Sequence, residues 1–307
     1  PAETPPPDGQ FTRLVVISDT HGHEESLPDT LPEGEVLVHC GDWSSGSGRN
    51  TAEATAAAAR LDERLSKQPQ AHKIIIRGNH DPFDVKFPLS NAVYVTSPIS
   101  LHLGGVTFAC VPYSRGPLRG TLPKGEVLVT HVPPKRLLDR TYTGEEAGDQ
   151  SLRKAVKDAR DKPRLWLFGH IHEGSGACRV RFGPRGEPAT TLVNAAQANS
   201  GKAKKLVSGP VVIDLEVDEE AKSDAKRALE VNRLRGGGGG GVPAFLAPLL
   251  LAALPPMEVE DTDALLPTSL MSPSADLTRE NARLKRQLAA MTMKLRAYEA
   301  VPTPRSS

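Results

Sequence analysis

Two histidines separated by one residue follow an apolar run in the middle of the chain. His170 and His172 come after the strand-like segment 165–168, and Gly169 stands between that segment and the first histidine. In an extended chain, residues i and i+2 point to the same side, so both imidazoles can face one point. This pattern is compatible with a metal site, a catalytic proton site or a plain polar surface.

Similar side chains follow four other apolar runs. All of them are ionisable or metal-binding: Asp19 and His21 after 14–18, Asp42 after 35–40, Asn79 and His80 after 73–77, and His131 after 126–130. Each motif alone is weak, because a Gly-Asp pair is often a turn and a lone histidine is often structural. In open α/β sheets, however, ligands bind at the carboxyl ends of the strands. The repetition at equivalent places therefore predicts one functional cleft.

The residue types in this predicted cleft narrow its chemistry. Two carboxylates, four imidazoles and one carboxamide form a ligand set without a thiolate. Such a set suits Mn, Fe, Zn or similar ions and is too rich in nitrogen for calcium. The donors exceed one four-coordinate site, but two ions about 3.5–4 Å apart can share them if one carboxylate bridges. Such a pair of ions activates water and holds the oxyanions of a phosphoryl group.

The elements that must position these residues can be read from hydrophobic patterning. Short runs rich in β-branched residues, bounded by Gly, Pro, Asp or Asn, are typical of buried strands. They occur at 14–18, 35–40, 73–77, 106–111, 126–130, 165–168, 190–196 and 211–217. Helices are predicted over 51–68 and 151–160. Strands that alternate with helices predict an α/β layered domain.

The amino-acid composition restricts the classes of protein to which the chain can belong. Only 38% of the 307 residues are hydrophobic and Gly and Pro number 27 each, which predicts one globular domain plus a less ordered remainder. A net charge of +1 argues against a nucleic-acid footprint over the whole chain. Three widely spaced cysteines fit a reducing compartment, so a cytoplasmic location is expected. Residues 1–10 lack the apolar core of a signal peptide, and the apolar segment 242–254 is too short to span a membrane.

The chain beyond residue 217 has a different composition. Residues 218–276 are predicted to hold a charged helix, a linker of six glycines and a Pro/Leu-rich segment of low order. Apolar residues at a and d positions predict a short coiled-coil helix over 277–298, and Asn281 at one a position favours a parallel homodimer. An amphipathic helix that packs on its own domain fits the pattern equally well. Residues 1–10 and 299–307 are predicted tails.

The motifs taken together resemble those of the metallophosphoesterase (calcineurin-like phosphoesterase) superfamily. The similarity covers about residues 11–217 and comprises DTHG at 19–22, Gly-Asp at 41–42, GNHD at 78–81, His131 and GHIH at 169–172. Segments such as VISDTHG and LVTHVPP are similar to the metallophosphoesterase domain-containing protein branch, which is associated with metal-dependent hydrolysis of phosphodiesters, including cyclic nucleotides. Val132 departs from that branch, which commonly has glycine after the metal histidine.

This resemblance implies a layered β-sandwich flanked by helices, an αββα architecture, and a role for each motif residue. One divalent ion is expected on Asp19, His21 and His172, and a second on Asn79, His131 and His170, with Asp42 bridging the two. The implied mechanism is in-line attack on phosphorus by a metal-bridging hydroxide, with His80 as the catalytic proton donor. The expected enzyme is a metal-dependent phosphoric ester hydrolase, with a small phosphodiester as substrate, and no nucleic-acid polymer is indicated.

Other functions remain open on the sequence. Protein serine/threonine phosphatases of the same fold have the pattern GDxVDRG as their second motif. The corresponding segment 41–46 of this chain lacks the second Asp and the Arg of that pattern, which argues against this activity. Arg49 is close in sequence, but nothing in the sequence shows that it points to the site. A phosphomonoesterase on the same fold is also compatible with the motifs. A metal-bound scaffold that acts through its coiled coil is disfavoured, because the metal histidines and His80 are intact.

Two further features have competing interpretations. Asp81 either orients His80 by a hydrogen bond or caps the following turn, and the sequence slightly favours the cap. Lys202, Lys204 and Lys205 form a basic cluster that could steer an anionic substrate, but a solvated loop is the favoured interpretation.

Overall fold

The computed structural model describes residues 11–201, 203–217, 249–250 and 258–260. The predicted charged helix, the glycine linker and the coiled-coil segment 277–298 lie outside these residues. Within the described part of the chain, no helix is both long and apolar enough to cross a bilayer.

Thirteen strands and two α-helices are present in the described residues. In chain order they are β1 (Phe11–Ile17), β2 (Val36–His39), α1 (Ala52–Ser66), β3 (His72–Ile76), β4 (Val93–Val95), β5 (Ile99–Leu103), β6 (Val106–Val111), β7 (Val127–Thr130), α2 (Gln150–Asp158), β8 (Leu165–Phe168), β9 (Gly176–Arg181), β10 (Thr190–Asn194), β11 (Val211–Glu216), β12 (Leu249–Leu250) and β13 (Glu258–Glu260). Every strand predicted from an apolar run is present, and both predicted helices form.

The strands form two sheets. The first has the order β12-β11-β1-β2-β3-β4, and the second has the order β13-β9-β10-β8-β7-β6-β5. Strands β1 to β4 run parallel, as do β6, β7, β8 and β10. The carboxyl ends of each parallel group therefore lie at one edge of its sheet, which is the arrangement that concentrates the following loops in one place.

The alternation of side chains along the strands builds three apolar layers. Leu14 and Val16 of β1 face the centre, where they join buried residues of both sheets such as Phe108, Val129 and Leu167. Because successive side chains in a strand point to opposite faces, the residues that alternate with these central ones point to an outer layer. The central layer is therefore the core of a β-sandwich.

The two helices cover the outer faces of the sandwich. Val15 and Ile17 of β1 contact Leu61 and Leu65, which lie one turn apart on α1. On the other side, Trp166 and Phe168 of β8 share a buried cluster with Leu152 and Val156 of α2. Thr51 and Asp149 cap α1 and α2 by accepting hydrogen bonds from backbone amides of the first turn. The predicted αββα architecture is confirmed.

Strands β4, β5 and β9 are among those that the sequence did not predict. Strand β5 has the sequence ISLHL, and its side chains are exposed or half-buried because it forms an edge of the second sheet. In β9, Arg179 and Arg181 interrupt the apolar pattern. Edge strands bury little surface, so their sequences carry a weak apolar signal.

The three cysteines are free and buried. Burial in apolar surroundings raises the pKa of the Cys110 thiol to about 12 and that of Cys178 to about 11. These thiols are accordingly protonated at neutral pH and contribute as small apolar side chains, as expected from their number and spacing.

Candidate metal centre

The predicted metal ligands come together where the parallel strands of the two sheets end. Asp19, Asp42 and Asn79 follow β1, β2 and β3 of the first sheet, whereas His131 follows β7 and His170 follows β8 of the second. Backbone amides connect the two sheets here, since the His170 N–H donates to Asp19 Oδ2 at 2.9 Å. The residues are thus placed by rigid strands and not by long loops.

Asp19, His21 and His172 form the first candidate metal group. Their ligand atoms lie within 4.8 Å of one another. Nε2 of His172 is 3.3 Å from Asp19 Oδ1 and 3.3 Å from Nε2 of His21. All three side chains are at least largely buried, so their lone pairs converge in a place that water reaches poorly.

Asp42, His131 and His170 form the second group, and Asn79 lies beside it. Nε2 of His131 is 3.4 Å from Asp42 Oδ1 and 3.0 Å from Asn79 Oδ1. The rings of His131 and His170 have centroids 4.9 Å apart. The other oxygen of Asp42, Oδ2, is 4.0 Å from Nε2 of His21 in the first group. Asp42 therefore stands between the two groups.

Two backbone carbonyls fix which ring nitrogen of these histidines faces the site. Nδ1 of His131 lies 2.8 Å from the Cys40 carbonyl, and Nδ1 of His172 lies 2.9 Å from the Asn199 carbonyl. A carbonyl oxygen only accepts, so Nδ1 carries a hydrogen in both rings and Nε2 is the nitrogen that faces the site. This is the arrangement that orients histidine ligands in metal sites.

The converging donors fit a cation. Nε2 of His131 faces two oxygens, and Nε2 of His21 faces Nε2 of His172, so several atoms that can ligate a metal converge on one another. Asp19 Oδ1 is buried and has no hydrogen-bond partner among the described residues. An unpaired buried carboxylate oxygen is costly, and a bound divalent ion would satisfy it together with the imidazoles.

The electrostatics of the site separate the histidines into two types. Burial lowers the pKa of His21 and of His170 to about 4, so both rings are neutral at pH 7 with a lone pair available. Burial also opposes the charged form of His131, but the Asp42 and Asp19 carboxylates outweigh it and raise the pKa of His131 to about 9. The negative field that stabilises this imidazolium would equally stabilise a metal cation.

Backbone strain is concentrated at the candidate ligands. Asp19, His21, Asp42 and His170 have φ values of 55°, 48°, 56° and 69°, in the left-handed region that side chains other than glycine rarely adopt. Each such residue costs on the order of 1–3 kcal/mol and persists only where its surroundings enforce it. Here the strain turns four side chains toward one point.

Two motif glycines are required by close approach. A methyl group on Gly78 would overlap the Asp42 carboxylate, and one on Gly169 would overlap the Asp19 carboxylate and the Ser18 hydroxyl. The glycines that precede Asn79 and His170 thus let the strand ends come against the two acidic ligands. This is the physical reason for Gly in GNHD and GHIH.

His80 is placed differently from the metal histidines. Its side chain is 31% exposed and its Nε2 lies 3.9 Å from Asp42 Oδ2. Nδ1 donates to the Gly46 carbonyl at 2.6 Å, which leaves Nε2 facing the site. The ring centroid is 5.2 Å from that of His21. His80 lies at the solvent side of the two groups, where it can contact a substrate.

Asp81 organises the loops of the site, and neither sequence-based interpretation covers this role. Its carboxylate accepts hydrogen bonds from the backbone amides of Asp42 at 2.7 Å, Gly78 at 2.8 Å and Ser44 at 2.9 Å. The His80 ring bonds to Gly46 and not to Asp81. Asp81 therefore binds the loop after β2 to the loop after β3, and it positions Asp42 through the backbone.

Replacing Asp81 by alanine is expected to lower the free energy of unfolding by about 3 kcal/mol or more, because three buried amides lose their acceptor. Metal affinity should fall as well, since Asp42 loses its support. Urea unfolding monitored by circular dichroism would measure the first effect and metal titration the second. Asp29→Ala, which removes an exposed acidic group, should change stability by less than about 1 kcal/mol. Equal stabilities of Asp81→Ala and wild type would contradict this role.

Lys204 was not predicted as part of the site, and the solvated-loop interpretation is wrong for it. Its Nζ lies 3.3 Å from Nε2 of His80 and 3.4 Å from Nδ1 of His21, and the side chain is half-buried. The loop is held over the site because His172 bonds to the Asn199 carbonyl and Ala198 pairs with Leu206. Lys205 remains exposed, and Lys202 lies outside the described residues.

Comparison with known proteins agrees with this geometry. A sequence model of the calcineurin-like phosphoesterase family matches residues 12–174, which is more than half of the chain and includes the strand ends described above. The chain belongs to this family. The resemblance inferred from the motifs is thereby confirmed, and so is the α/β fold class.

Two curated proteins and one solved structure are among those similar to this chain. UPF0046 protein K07C11.7 of Caenorhabditis elegans is 28% identical over 250 residues, covering 68% of this chain and 77% of the relative. Metallophosphoesterase domain-containing protein 1 of Homo sapiens is 29% identical over 261 residues, covering 70% of this chain and 74% of the relative. The crystal structure of TT1561 of Thermus thermophilus aligns with a TM-score of 0.39 at 13% identity, over 68% of this chain and all of that one.

Family membership gives the general chemistry of the site. Calcineurin-like phosphoesterases use divalent metals, and the two groups around Asp42 are candidate positions for them. The chain is therefore a member of a family of metal-dependent phosphoester hydrolases.

Proposed function

We propose that this protein is a two-metal phosphodiesterase. The observation that carries the proposal is the position of Asp42, whose Oδ1 is 3.4 Å from the second histidine group and whose Oδ2 is 4.0 Å from the first. A carboxylate placed in this way can be shared by two ions, which is the arrangement of two-metal phosphoryl-transfer sites.

The ligands would divide between the ions as the motifs suggest. Asp19, His21 and His172 would hold one ion and Asn79, His131 and His170 the other, with Asp42 common to both. Bound here, divalent metals supply Lewis acidity that activates water and neutralises the phosphoryl oxygens. The donor set suits Mn, Fe or Zn, and manganese is the ion we would load first.

The proton for the leaving oxygen is assigned to His80. Because Nδ1 is engaged with the Gly46 carbonyl, Nε2 is the nitrogen that can deliver a proton into the site. Partial exposure lets the ring regain that proton from solvent after each turnover. Nε2 is also within 3.3 Å of the Lys204 ammonium, so a positive charge stands next to the place where the leaving oxygen develops negative charge.

A diester is favoured over a monoester because the site continues into a cleft. Asn79 and His80 line a cavity of about 750 Å³, and the other residues that line it lie outside the two histidine groups. A phosphomonoester would leave this space unused, whereas the second ester group of a diester can occupy it. The phosphomonoesterase remains the alternative on the same fold.

Lys204→Met is expected to raise the KM for a phosphoester about tenfold with a smaller change in kcat, because a charge-assisted contact of about 1.4 kcal/mol or more is lost. Steady-state kinetics with the metal-loaded protein would separate the two parameters. The exposed neighbour Lys205→Met is the matched control and should behave like wild type. An unaltered KM in Lys204→Met would remove this lysine from the site.

The test of the proposed function is hydrolysis of bis-p-nitrophenyl phosphate and p-nitrophenyl phosphate by protein stripped of metal and then reloaded with Mn. We expect faster turnover of the diester, loss of turnover after chelation and its return with metal. Faster turnover of the monoester would establish the phosphomonoesterase alternative. Absence of turnover for both esters, with two metals bound per chain, would favour the non-catalytic scaffold.

The homodimer through 277–298 and the cytoplasmic location stay predictions from the sequence. The coiled-coil segment lies outside the described residues, and neither prediction is needed for catalysis.

A further inference from the structure

The cleft beside the candidate metal centre is strongly cationic. Its volume is about 750 Å³, and it begins at Asn79 and His80. Four arginines line it: Arg49, Arg77, Arg115 and Arg119. Among the described residues that line it, there is no aspartate or glutamate. Four guanidinium groups around one cavity without a lining carboxylate produce a positive potential that attracts anions.

Arg77 is built into the wall of this cleft. The residue is only 5% exposed, and its guanidinium lies 3.6 Å from the centroid of the Phe83 ring. Nη1 donates to the Tyr113 carbonyl at 2.9 Å. In the described part of the chain, the buried Nε has no hydrogen-bond partner. A buried guanidinium with an unsatisfied donor is unfavourable unless a ligand supplies the missing acceptor.

The backbone holds Arg77 rigidly next to the catalytic motif. The Arg77 amide donates to the Val95 carbonyl at 3.0 Å, and the Arg77 carbonyl accepts from the Tyr113 amide at 2.8 Å. Gly78 alone separates Arg77 from Asn79. The guanidinium is consequently preorganised at a fixed place in the wall of the cleft, which lowers the entropy lost on binding.

The other three arginines surround the opening of the cleft. Arg49 comes from the loop after β2, whereas Arg115 and Arg119 come from the loop after β6. All three are exposed. Exposed arginines can move to meet a ligand, and their charges add to that of the buried Arg77.

We propose that this cleft binds an anionic group of the substrate that is separate from the scissile phosphate. This inference rests on the proposed function and narrows it to phosphodiesters whose ester group carries a carboxylate or a second phosphate. An uncharged group would leave the positive charges of the four arginines unbalanced, and a cationic group would be repelled by them. Planar carboxylate or phosphate oxygens match the geometry of guanidinium groups.

The test uses two diesters that differ only in this charge. Bis(4-nitrophenyl) phosphate has uncharged ester groups, and bis(3-carboxy-4-nitrophenyl) phosphate carries a carboxylate on both, so either orientation presents an anion to the cleft. We expect the metal-loaded wild type to have a kcat/KM about tenfold higher for the carboxylated diester, mainly through KM.

Variants identify the groups responsible. Arg77→Gln and the exposed triple variant Arg49→Gln/Arg115→Gln/Arg119→Gln should each reduce the ratio of the two kcat/KM values about threefold, since each removes part of the charge-assisted contact. Because the triple variant changes only exposed side chains, its effect does not depend on the folding of Arg77→Gln. Arg185→Gln removes an exposed arginine outside the cleft and should keep the wild-type ratio.

A binding measurement separates this inference from the proposed function. Calorimetry would compare diphenyl phosphate with bis(3-carboxyphenyl) phosphate on the same metal-loaded proteins. If no diester is hydrolysed but the carboxylated one binds tighter in an arginine-dependent manner, the anionic subsite stands and the proposed function falls. If both diesters bind and react alike, or if the preference survives in the arginine variants, the anionic subsite is refuted.

Discussion

Asp42→Asn is expected to abolish detectable phosphoester hydrolysis, with a loss of at least about 10³-fold in kcat, equivalent to roughly 4 kcal/mol of transition-state stabilisation. The substitution preserves size but removes the charge that lies within 4.0 Å of both histidine groups. The protein should also retain less than two metals per chain after desalting, because an amide bridges metal ions poorly. Elemental analysis and steady-state kinetics on the same preparation would measure both effects.

Asp62→Asn provides the matched control for this variant. Asp62 is also a buried aspartate, and it accepts hydrogen bonds from the amides of Leu89 and Ser90 far from the metal centre. We expect a loss of stability in this control without a loss of bound metal or of kcat. An Asp42→Asn protein that kept two metals and wild-type turnover would contradict the bridging role of Asp42.

His80→Ala is expected to lower kcat by about 10²–10⁴-fold while metal content remains that of wild type, because general acid catalysis contributes factors of this size. The ring lies at the solvent side of the site and is not among the converging metal donors. The expected separation between lost turnover and retained metal distinguishes a proton donor from a metal ligand.

Comparing two leaving groups in the His80→Ala variant tests the role of His80 as a proton donor more directly. A p-nitrophenolate leaves without much help from an acid, whereas an alkoxide needs a proton as the bond breaks. The loss of kcat in His80→Ala should therefore be larger for an alkyl ester than for a p-nitrophenyl ester. His102→Ala changes an exposed histidine on β5 and should match wild type. An equal loss for both leaving groups would show that His80 acts by positioning the substrate and not by protonating it.

Local sequence patterns were sufficient for most of the fold. The buried strands of both sheets carry apolar runs, most of them with β-branched residues, and Leu61 and Leu65 on α1 have the spacing of a helix face. These signals are strong because they arise from burial within a few consecutive residues. The edge strand β5 escaped prediction because its residues are not buried enough to require an apolar sequence.

The residues proposed for the metal centre could be predicted from the amino-acid sequence. Asp19, Asp42, Asn79, His131 and His170 each follow a recognisable strand, and parallel strands of one sheet present their carboxyl ends at one edge. The strand assignments thus place Asp19, Asp42 and Asn79 at one sheet edge, and the packing of the second sheet brings His131 and His170 to it.

The positions of Asp81, Lys204 and Arg77 relative to the site could not be predicted from the sequence. Asp81 bonds to Asp42 and Ser44 on another loop, Lys204 reaches His21 across more than 180 positions of the chain, and Arg77 lines a cleft with arginines of two other loops. Their residue types have no local pattern that distinguishes them from a turn residue or a solvated charge. Their positions depend on contacts between distant segments, and those contacts exist only after the two sheets have packed and brought the loops together.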